Sequence, residues 1–330
     1  MYFSIIVPVF NRPDEIDELL ASLQEQSYSK AFEIVIVEDG STIDCQAVVE
    51  KYKHLNIAYY YKQNSGPGAS RNYGMRKAKG NYFLIIDSDC VIPKDYLQQA
   101  ENSLQQHYVA CFGGKDAALD NFTPIQKAIN FAMTSVFTTG GIRGNSEQMG
   151  KFQPRSFNMG LSKEAFILSG GFGNIHPGED PDLAMRLWDL GVDTRLFSNV
   201  KVYHKRRISW EKFYYQVNKF GKTRVILDLW YPQYAKLVYL FPLTFCLGFV
   251  MAILLGVLYG NGLLLGAYML YFVLCFWFSF RENKSLYIGL LSIYALMIQF
   301  FGYARGYAKA LVRLRLQGKR PQEAFPELFF

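Results

Sequence analysis

Two aspartates, Asp87 and Asp89, follow a run of apolar residues that ends at Ile86. In an extended chain, residues two positions apart point to the same side, so both carboxylates face one way. Carboxylates at the end of a buried run are costly unless a cation neutralises them. Mg²⁺ and Mn²⁺ bind such oxygens together with substrate phosphates. The pair therefore predicts a metal site for a phosphate-bearing substrate, with an ordinary exposed turn as the alternative.

Polar residues also follow two other apolar runs. The first run leads to Pro8 and Asn11, and the second ends at Glu38 and Asp39. Taken alone, each of these ends could be an ordinary turn or helix cap instead of part of a functional site. Because three runs end in this way, we expect their polar groups to meet at one edge of a sheet.

A second acidic pair, Glu179 and Asp180, precedes a segment in which Leu183, Leu187 and Leu190 recur at helical spacing. A carboxylate in the first turn of a helix at a cleft can act as a general base. The alternative is that the two acids only stabilise the helix N-terminus. No second nucleophilic carboxylate is marked, so a covalent intermediate is not required.

The elements that must position these groups alternate between β-rich runs and amphipathic helical runs over the first part of the chain. This alternation predicts right-handed crossovers and a mainly parallel, Rossmann-like α/β sheet with helices on both faces. In such sheets ligands bind beyond the carboxyl ends of the strands, where the acidic residues are expected.

The last third of the chain has a different composition, because residues 237–280 carry no charged side chain. That length predicts two membrane spans, at about 237–259 and 263–280. A third apolar segment at 286–304 is predicted either to span or to be re-entrant, and a basic amphipathic tail follows at 305–320. We therefore predict a catalytic domain at 1–225 and a membrane domain at 226–330.

The orientation of the apolar segments in the membrane is harder to assign. A third crossing would place the basic tail away from the cytoplasm, against the positive-inside tendency. The first residues lack the basic start of a signal peptide, so we expect the catalytic domain to be cytoplasmic at a multi-pass plasma or inner membrane. The oligomeric state stays open.

Charge and cysteine usage exclude other classes. The net charge is +7, but the basic residues concentrate near the apolar segments, which favours membrane lipids or phosphates over nucleic acid. The five cysteines are scattered without metal-type spacing, so neither a disulfide framework nor a zinc site is predicted.

Together the motifs resemble those of the family-2 glycosyltransferases, which have the nucleotide-sugar-binding GT-A fold. The resemblance covers roughly residues 1–225 and runs in the family's order. The segments that carry it are SIIVPVFNR, IVIVEDGS, NSGPGASRNYGMRKAKGNYFLIIDSD, FNMGLSKEAFILSGGF and GEDPDLAMRLWDLG. One departure is Glu38, which stands where an aspartate is common in the family.

The resemblance implies a role for each matching residue on the donor side. Pro8 and Asn11 line the nucleotide pocket, Asp39 binds the base or ribose region, and Arg71 with Asn72 steadies the nearby loop. An alternative for Arg71 is a helix residue that pairs with a carboxylate at the sheet edge.

For the chemistry, the resemblance implies that Asp87 contacts the ribose or the metal and that Asp89 ligates a Mn²⁺ or Mg²⁺ ion. It also points to His204 as a nitrogen ligand, although a capping or solvent-facing histidine is nearly as consistent. Asp180 is expected to be the base, and Glu179 to orient it or the acceptor. Lys205, Arg206 and Arg207 are candidates for binding phosphate, and residues 121–157 for the acceptor wall.

The expected activity is inverting sugar transfer from a nucleotide-diphosphate sugar, expected to be UDP-linked, to a hydroxyl. The acceptor would be a saccharide or a lipid-linked molecule in cell-surface polysaccharide or glycolipid synthesis. One alternative is a polyprenyl-phosphate sugar synthase, whose ionised acceptor needs no strong base. The other alternative is a non-catalytic nucleotide-binding membrane scaffold. A scaffold would be expected to lose at least one acidic motif, whereas this sequence retains Asp39, Asp87, Asp89 and Asp180.

Overall fold

The computed structural model describes residues 1–117, 122–139, 151–204 and 209–330. The chain divides into two compact units. Among the described residues, unit 1 contains 1–117, 151–204 and 329–330, and unit 2 contains 122–139 and 209–328. The expected division after residue 225 into a catalytic and a membrane domain stays a prediction.

Within the described residues, the strands of unit 1 form one eight-stranded sheet in the order β3-β2-β1-β4-β7-β6-β8-β5. The strands are β1 (Phe3–Val9), β2 (Glu33–Asp39), β3 (Ile57–Lys62), β4 (Tyr82–Ile86), β5 (Cys90–Val91), β6 (Cys111–Ala117), β7 (Asn158–Ser162) and β8 (Thr194–His204). Strands β1 to β4 pair in parallel, whereas β7 pairs antiparallel with both β4 and β6. The predicted mainly parallel α/β sheet is confirmed.

Helices cover both faces of this sheet. They are α1 (Pro13–Gln24), α2 (Gln46–Val49), α3 (Pro67–Lys77), α4 (Tyr96–Gln106), α7 (Lys163–Ser169) and α8 (Glu179–Asp189). The core shared with α1 and α4 takes alternate residues of β1, such as Ile5 and Val7, whereas Ile6 enters the core shared with α3, α7 and α8. This alternation follows from the two-residue period of a strand.

Helix α3 lies unusually close to the sheet at Gly74. A Cβ atom there would lie 2.8 Å from Ile6 Cγ2 and 3.1 Å from Val37 Cγ2. Pro67 starts the helix, and its missing N–H costs nothing at that position. The close contact at Gly74 holds α3, which carries Arg71, against β1 and β2.

Unit 2 is helical in its described part. Its helices are α5 (Pro124–Thr134), α6 (Val136–Thr139), α9 (Trp210–Trp230), α10 (Phe241–Tyr259), α11 (Leu263–Asn283), α12 (Leu286–Ala310) and α13 (Pro321–Ala324). Helices α9 and α12 meet at glycines, since a Cβ on Gly221 would lie 2.2 Å from the carbonyl oxygen of Tyr303. A π-helical turn, Leu311–Leu316, extends α12.

Three helical segments in the described part of the chain are long and apolar enough to cross a membrane, namely Leu237–Tyr259, Leu263–Asn283 and Leu286–Leu316. The second predicted span runs three residues further than the expected end at 280. The predicted third segment and most of the basic tail belong to one continuous helical segment, because the chain continues without a break past residue 304. Membrane crossing and orientation stay predictions.

Candidate active site

The predicted metal site combines the turn between β4 and β5, which carries Asp87 and Asp89, with His204 at the end of β8. Strand β5 pairs antiparallel with the end of β8, and Cys90 lies opposite His204. This pairing places His204 Nε2 3.1 Å from Asp89 Oδ1. The His204 ring is also stacked on Phe157, with ring centroids 4.7 Å apart. The fold therefore brings together two residues that lie more than one hundred positions apart in the sequence.

The donor atoms of Asp89 and His204 suit a divalent cation. One ligand atom each from Asp89, Cys90 and His204 lies within 4.8 Å of the others. A carboxylate oxygen and an imidazole nitrogen are ligands that Mn²⁺ accepts. The Cys90 sulfur instead donates a hydrogen bond to the Phe157 carbonyl at 3.6 Å, and burial raises the pKa of its thiol well above the ordinary value. The assignment of Asp89 and His204 as ligands stays a prediction.

Asp87 has a different partner from Asp89. Its Oδ1 accepts a hydrogen bond from Arg71 Nη2 at 2.7 Å, and its side chain is partly exposed. Arg71 is buried, and its Nη1 donates to Glu179 Oε1 at 3.1 Å. One guanidinium thus joins the end of β4 to the start of α8. Both the predicted role of Arg71 near the nucleotide and its alternative, a pair with a sheet-edge carboxylate, fit this geometry.

The pKa of Arg71 reflects its three acidic neighbours. Burial lowers it, but Asp87, Glu179 and Asp180 together raise it above the ordinary value. The guanidinium also lies over the Phe172 ring, with Cζ 5.3 Å from the centroid. Arg71 therefore stays charged and supplies a fixed positive charge among the carboxylates.

Asn72 fixes the loop that follows α7. Its Nδ2 donates to the Phe172 carbonyl oxygen and its Oδ1 accepts from the Phe172 N–H, both at 2.8 Å. The amide thus pairs with both backbone polar groups of one residue, as a neighbouring strand would. This contact supports the predicted role of Asn72 in steadying a loop, and it leaves the predicted contact with the nucleotide untested.

Glu179 and Asp180 begin α8, but their electrostatic states differ. Burial raises the pKa of Glu179, yet the hydrogen bond and charge of His176 and then the charge of Arg71 bring it below its ordinary value. Burial raises the pKa of Asp180 too, and the charge of Glu179 raises it further. Asp180 Oδ1 is buried and accepts no hydrogen bond from the described residues. The site therefore contains one carboxylate with a lowered pKa and, next to it, one with a raised pKa.

The two acids after β2 have their own protein partners. Glu38 is fully buried and accepts hydrogen bonds from Ser41 Oγ, from Tyr59 Oη at 2.8 Å and from the Cys45 N–H at 3.1 Å. Asp39 pairs with Lys62 and accepts the Ser65 N–H at 3.0 Å. Glu38 therefore organises the turn, whereas Asp39 lies beside the loop that leads into α3.

Asn11 and Pro8 have local roles in the structure. Asn11 adopts a positive φ of 55°, which asparagine tolerates, and its Oδ1 accepts the N–H groups of Thr42 and Ile43 at 2.8 and 3.0 Å. Pro8 is buried in β1 beyond the last residue that pairs with β4, where no N–H is needed on that side. Their predicted contacts with a nucleotide remain predictions.

No sequence pattern marks His176 or Lys62, which contact two of the predicted residues. His176 Nδ1 lies 2.9 Å from Glu179 Oε1. The spacing of three residues between His176 and Glu179 is the one local signal that was available. Lys205, Arg206 and Arg207, and residues 121 and 140–150 of the predicted acceptor wall, lie outside the described residues.

Comparison with known proteins identifies the class that this fold and site define. The family profile "Glycosyl transferase family 2" matches residues 4–168, half of the chain. The chain belongs to glycosyltransferase family 2, and the predicted enzyme class is confirmed.

Two curated relatives and one solved structure show how far the similarity extends. Poly(ribitol-phosphate) beta-N-acetylglucosaminyltransferase TarS of Staphylococcus aureus is 38% identical over 112 residues, 33% of this chain and 20% of TarS. The putative teichuronic acid biosynthesis glycosyltransferase TuaG of Bacillus subtilis is 30% identical over 131 residues, 38% of this chain and 52% of TuaG. The chain thus covers about a fifth of TarS and half of TuaG.

The solved structure is that of the mannosyltransferase PcManGT from Pyrobaculum calidifontis, in complex with GDP-Man and Mn²⁺. It superimposes with a TM-score of 0.56 at 16% identity and covers 98% of this chain and 78% of PcManGT. At this identity the likeness concerns the fold, and the predicted GT-A fold class is confirmed.

Proposed function

We propose that this protein is an inverting glycosyltransferase that moves a sugar from a nucleotide-diphosphate sugar, UDP-linked by our expectation, to a hydroxyl group. The observation that carries the proposal is the state of Asp180. Its Oδ1 is buried without a hydrogen bond from the described residues, and its pKa is raised, as a general base requires. Two hydrogen bonds through Arg71 connect the neighbouring Glu179 to Asp87, on the predicted donor side.

The reaction then needs one displacement. The acceptor oxygen attacks the anomeric carbon while Asp180 takes the hydroxyl proton, and the bond between that carbon and the diphosphate oxygen breaks. The diphosphate leaves with the electron pair of the broken bond. A Mn²⁺ or Mg²⁺ ion bound by Asp89 and His204, with Asp87 as the third predicted ligand, would supply positive charge to that leaving group. Arg71 holds Asp87, and Glu179 holds Arg71.

The relatives support a saccharide or lipid-linked acceptor in cell-surface polysaccharide synthesis. The name of TarS gives a poly(ribitol-phosphate) acceptor, and that of TuaG gives teichuronic acid biosynthesis. The three apolar helical segments support a multi-pass protein of the plasma or inner membrane with a cytoplasmic catalytic domain. The proposal also includes glycolipid synthesis, in which the acceptor is a lipid-linked molecule.

Release of nucleoside diphosphate from a panel of nucleotide sugars tests the function directly. The detergent-solubilised full chain is assayed with Mn²⁺, with Mg²⁺ and with chelator, beside the Asp89→Ala variant. We expect turnover of at least one donor that the chelator or Asp89→Ala abolishes. Lack of turnover across the panel with either cation would contradict the proposal and favour a non-catalytic scaffold.

The acceptor class is separated by the Asp180→Asn variant. A hydroxyl acceptor must lose a proton as it attacks, whereas a polyprenyl phosphate is already ionised. Loss of transfer to hydroxyl acceptors supports the proposed reaction. Undiminished transfer to polyprenyl phosphate would instead identify a polyprenyl-phosphate sugar synthase.

A further inference from the structure

One polar side chain next to the proposed site has no role in the displacement described above. His176 lies in the loop before α8, and its Nδ1 is 2.9 Å from Glu179 Oε1. Its side chain is 39% exposed, whereas that of Glu179 is 6% exposed. The histidine therefore reaches from the surface to a buried carboxylate.

The contacted oxygen is shared with Arg71. Glu179 Oε1 also accepts a hydrogen bond from Arg71 Nη1 at 3.1 Å, and Arg71 Nη2 donates to Asp87 Oδ1 at 2.7 Å. Four side chains thus form one series of polar contacts, from the loop before α8 through α3 to the end of β4. Three polar contacts therefore connect His176 to Asp87, and the two that involve Arg71 are hydrogen bonds between charged groups.

Both carboxylate oxygens of Glu179 have hydrogen-bond partners. Its second oxygen, Oε2, accepts the Gly178 N–H at 3.0 Å. With Oε2 held by the backbone, the orientation of Oε1 depends on His176 and Arg71. Removal of His176 leaves Arg71 as the side chain that orients Oε1 among the described residues.

The loop that carries His176 is itself anchored within unit 1. Ile175 forms an antiparallel bridge with Phe329, and the Phe330 N–H donates to the Asn174 carbonyl oxygen at 3.2 Å. The Phe330 ring lies near the imidazole, with ring centroids 6.0 Å apart. Backbone contacts with Phe329 and Phe330 therefore hold the loop that places His176 next to Glu179.

We propose that His176 is a positioning residue for donor binding: through Glu179 it holds Arg71 on Asp87 and so keeps Asp87 in the orientation that the donor or its metal requires. The inference rests on the proposed function and extends it to a residue that is neither the proposed base nor a predicted metal ligand. The chemical step at Asp180 is not what His176 supports, so its loss acts on donor affinity more than on turnover.

Two variants separate this role from a general loss of structure. His176→Leu removes the hydrogen bond to Glu179, and His176→Asn places an amide nitrogen close to the position of Nδ1. For the donor that the wild type turns over, His176→Leu should raise KM about tenfold with kcat within about threefold, as expected for one hydrogen bond to a charged group. His176→Asn should return KM to within about threefold of wild type.

Partial unfolding predicts another pattern, since it lowers the active fraction and hence kcat while KM stays unchanged. An equilibrium measurement adds a readout without turnover: calorimetric titration of the full chain in detergent with Mn²⁺ and the nucleoside diphosphate that the donor releases. His176→Leu should weaken that Kd by the same factor, and thermal unfolding reports whether each variant is folded.

Three results would overturn the inference: unchanged KM and Kd in His176→Leu, a loss confined to kcat, or a His176→Asn variant as impaired as His176→Leu. These results leave the proposed function standing, because they require an active wild type. An inactive wild type would overturn the proposed function and, with it, this inference.

Discussion

Two pairs of adjacent acids in unit 1, Glu38–Asp39 and Glu179–Asp180, have different surroundings. After β2, Glu38 is surrounded by donors from Ser41, Cys45 and Tyr59, and Asp39 is paired with Lys62. At the start of α8, Glu179 is similarly held by His176 and Arg71, but Asp180 Oδ1 accepts no hydrogen bond from the described residues.

The difference separates the carboxylates that are held by several partners from Asp180, which we propose as the proton acceptor. A buried carboxylate that is fully hydrogen-bonded is stabilised in its ionised form and shapes the loop around it. One that is buried beside another negative charge has a raised pKa and gains by accepting a proton. The sequence alone does not distinguish the two pairs, because each consists of a glutamate followed by an aspartate.

Substitution of the proposed base should give the largest effect. In Asp180→Asn the amide cannot accept the hydroxyl proton, so we expect kcat for transfer to a hydroxyl to fall by about 10²- to 10⁴-fold. Asp193→Asn, at an exposed aspartate after α8, is the matched control and should be unchanged. Steady-state transfer assays with thermal unfolding as the folding check measure both. Wild-type kcat in folded Asp180→Asn would remove the distinction between the two acidic pairs.

Loss of a predicted metal ligand should come next. Asp89→Asn and His204→Gln each remove one of the two groups that lie 3.1 Å apart. The Mn²⁺ concentration for half-maximal activity should rise at least ~10-fold, since even residues behind the ligands have effects of that size. Asp95→Asn, at an exposed aspartate soon after β5, serves as control. Unchanged Mn²⁺ activation in both variants would argue against this site.

The pH dependence of kcat/KM tests the coupling between Glu179 and Asp180. Activity requires ionised Asp180, whose pKa is raised to about 6 by burial and then by Glu179. Activity should therefore be present above that pKa and fall as the pH drops through it. Glu179→Gln removes one raising charge, so the acid limb should move to lower pH by up to about one unit.

The control for that shift is Glu164→Gln, at an exposed acid on α7. Its acid limb should coincide with the wild-type limb. An acid limb that stays in place in Glu179→Gln, or moves to higher pH, would show that Glu179 does not tune the base.

The smallest effect on chemistry is expected after β2. Glu38→Gln replaces an acceptor of three hydrogen bonds with a group that carries its own donors, so the free energy of unfolding should fall by about 1–3 kcal/mol. The kcat of the folded protein should stay within about threefold. Denaturation of the detergent-solubilised chain measures the first quantity, with the exposed Glu50→Gln as control. A large kcat loss without destabilisation would make Glu38 a functional rather than a structural acid.

Much of the first half of the sheet could be predicted from sequence, because the apolar runs of β1, β2 and β4 are local patterns. The acids at their carboxyl ends follow directly from those runs. The pairing of β5 with β8, which brings His204 to Asp89, joins distant segments, and no periodicity reports it. His204 was available only through the family resemblance.

The partners of the predicted residues were harder to foresee than the residues themselves. Arg71 and Glu179 are 108 positions apart, and their contact depends on how α3 and α8 pack on one face of the sheet. Lys62 lies in no motif that links it to Asp39, and only a spacing of three residues links His176 to Glu179. Local patterns thus identify the acids, whereas tertiary packing decides which acid is neutralised.

The most direct test of the central claim, a single displacement assisted by one base, is the anomeric configuration of the product. Proton NMR of the first transferred sugar, recorded before the anomers equilibrate, gives that configuration from the coupling constant of the anomeric proton. A single displacement gives the product the anomeric configuration opposite to that of the donor. Retention of the donor configuration would contradict a single displacement. Retention by two successive displacements requires a nucleophilic side chain, and we propose none in this site.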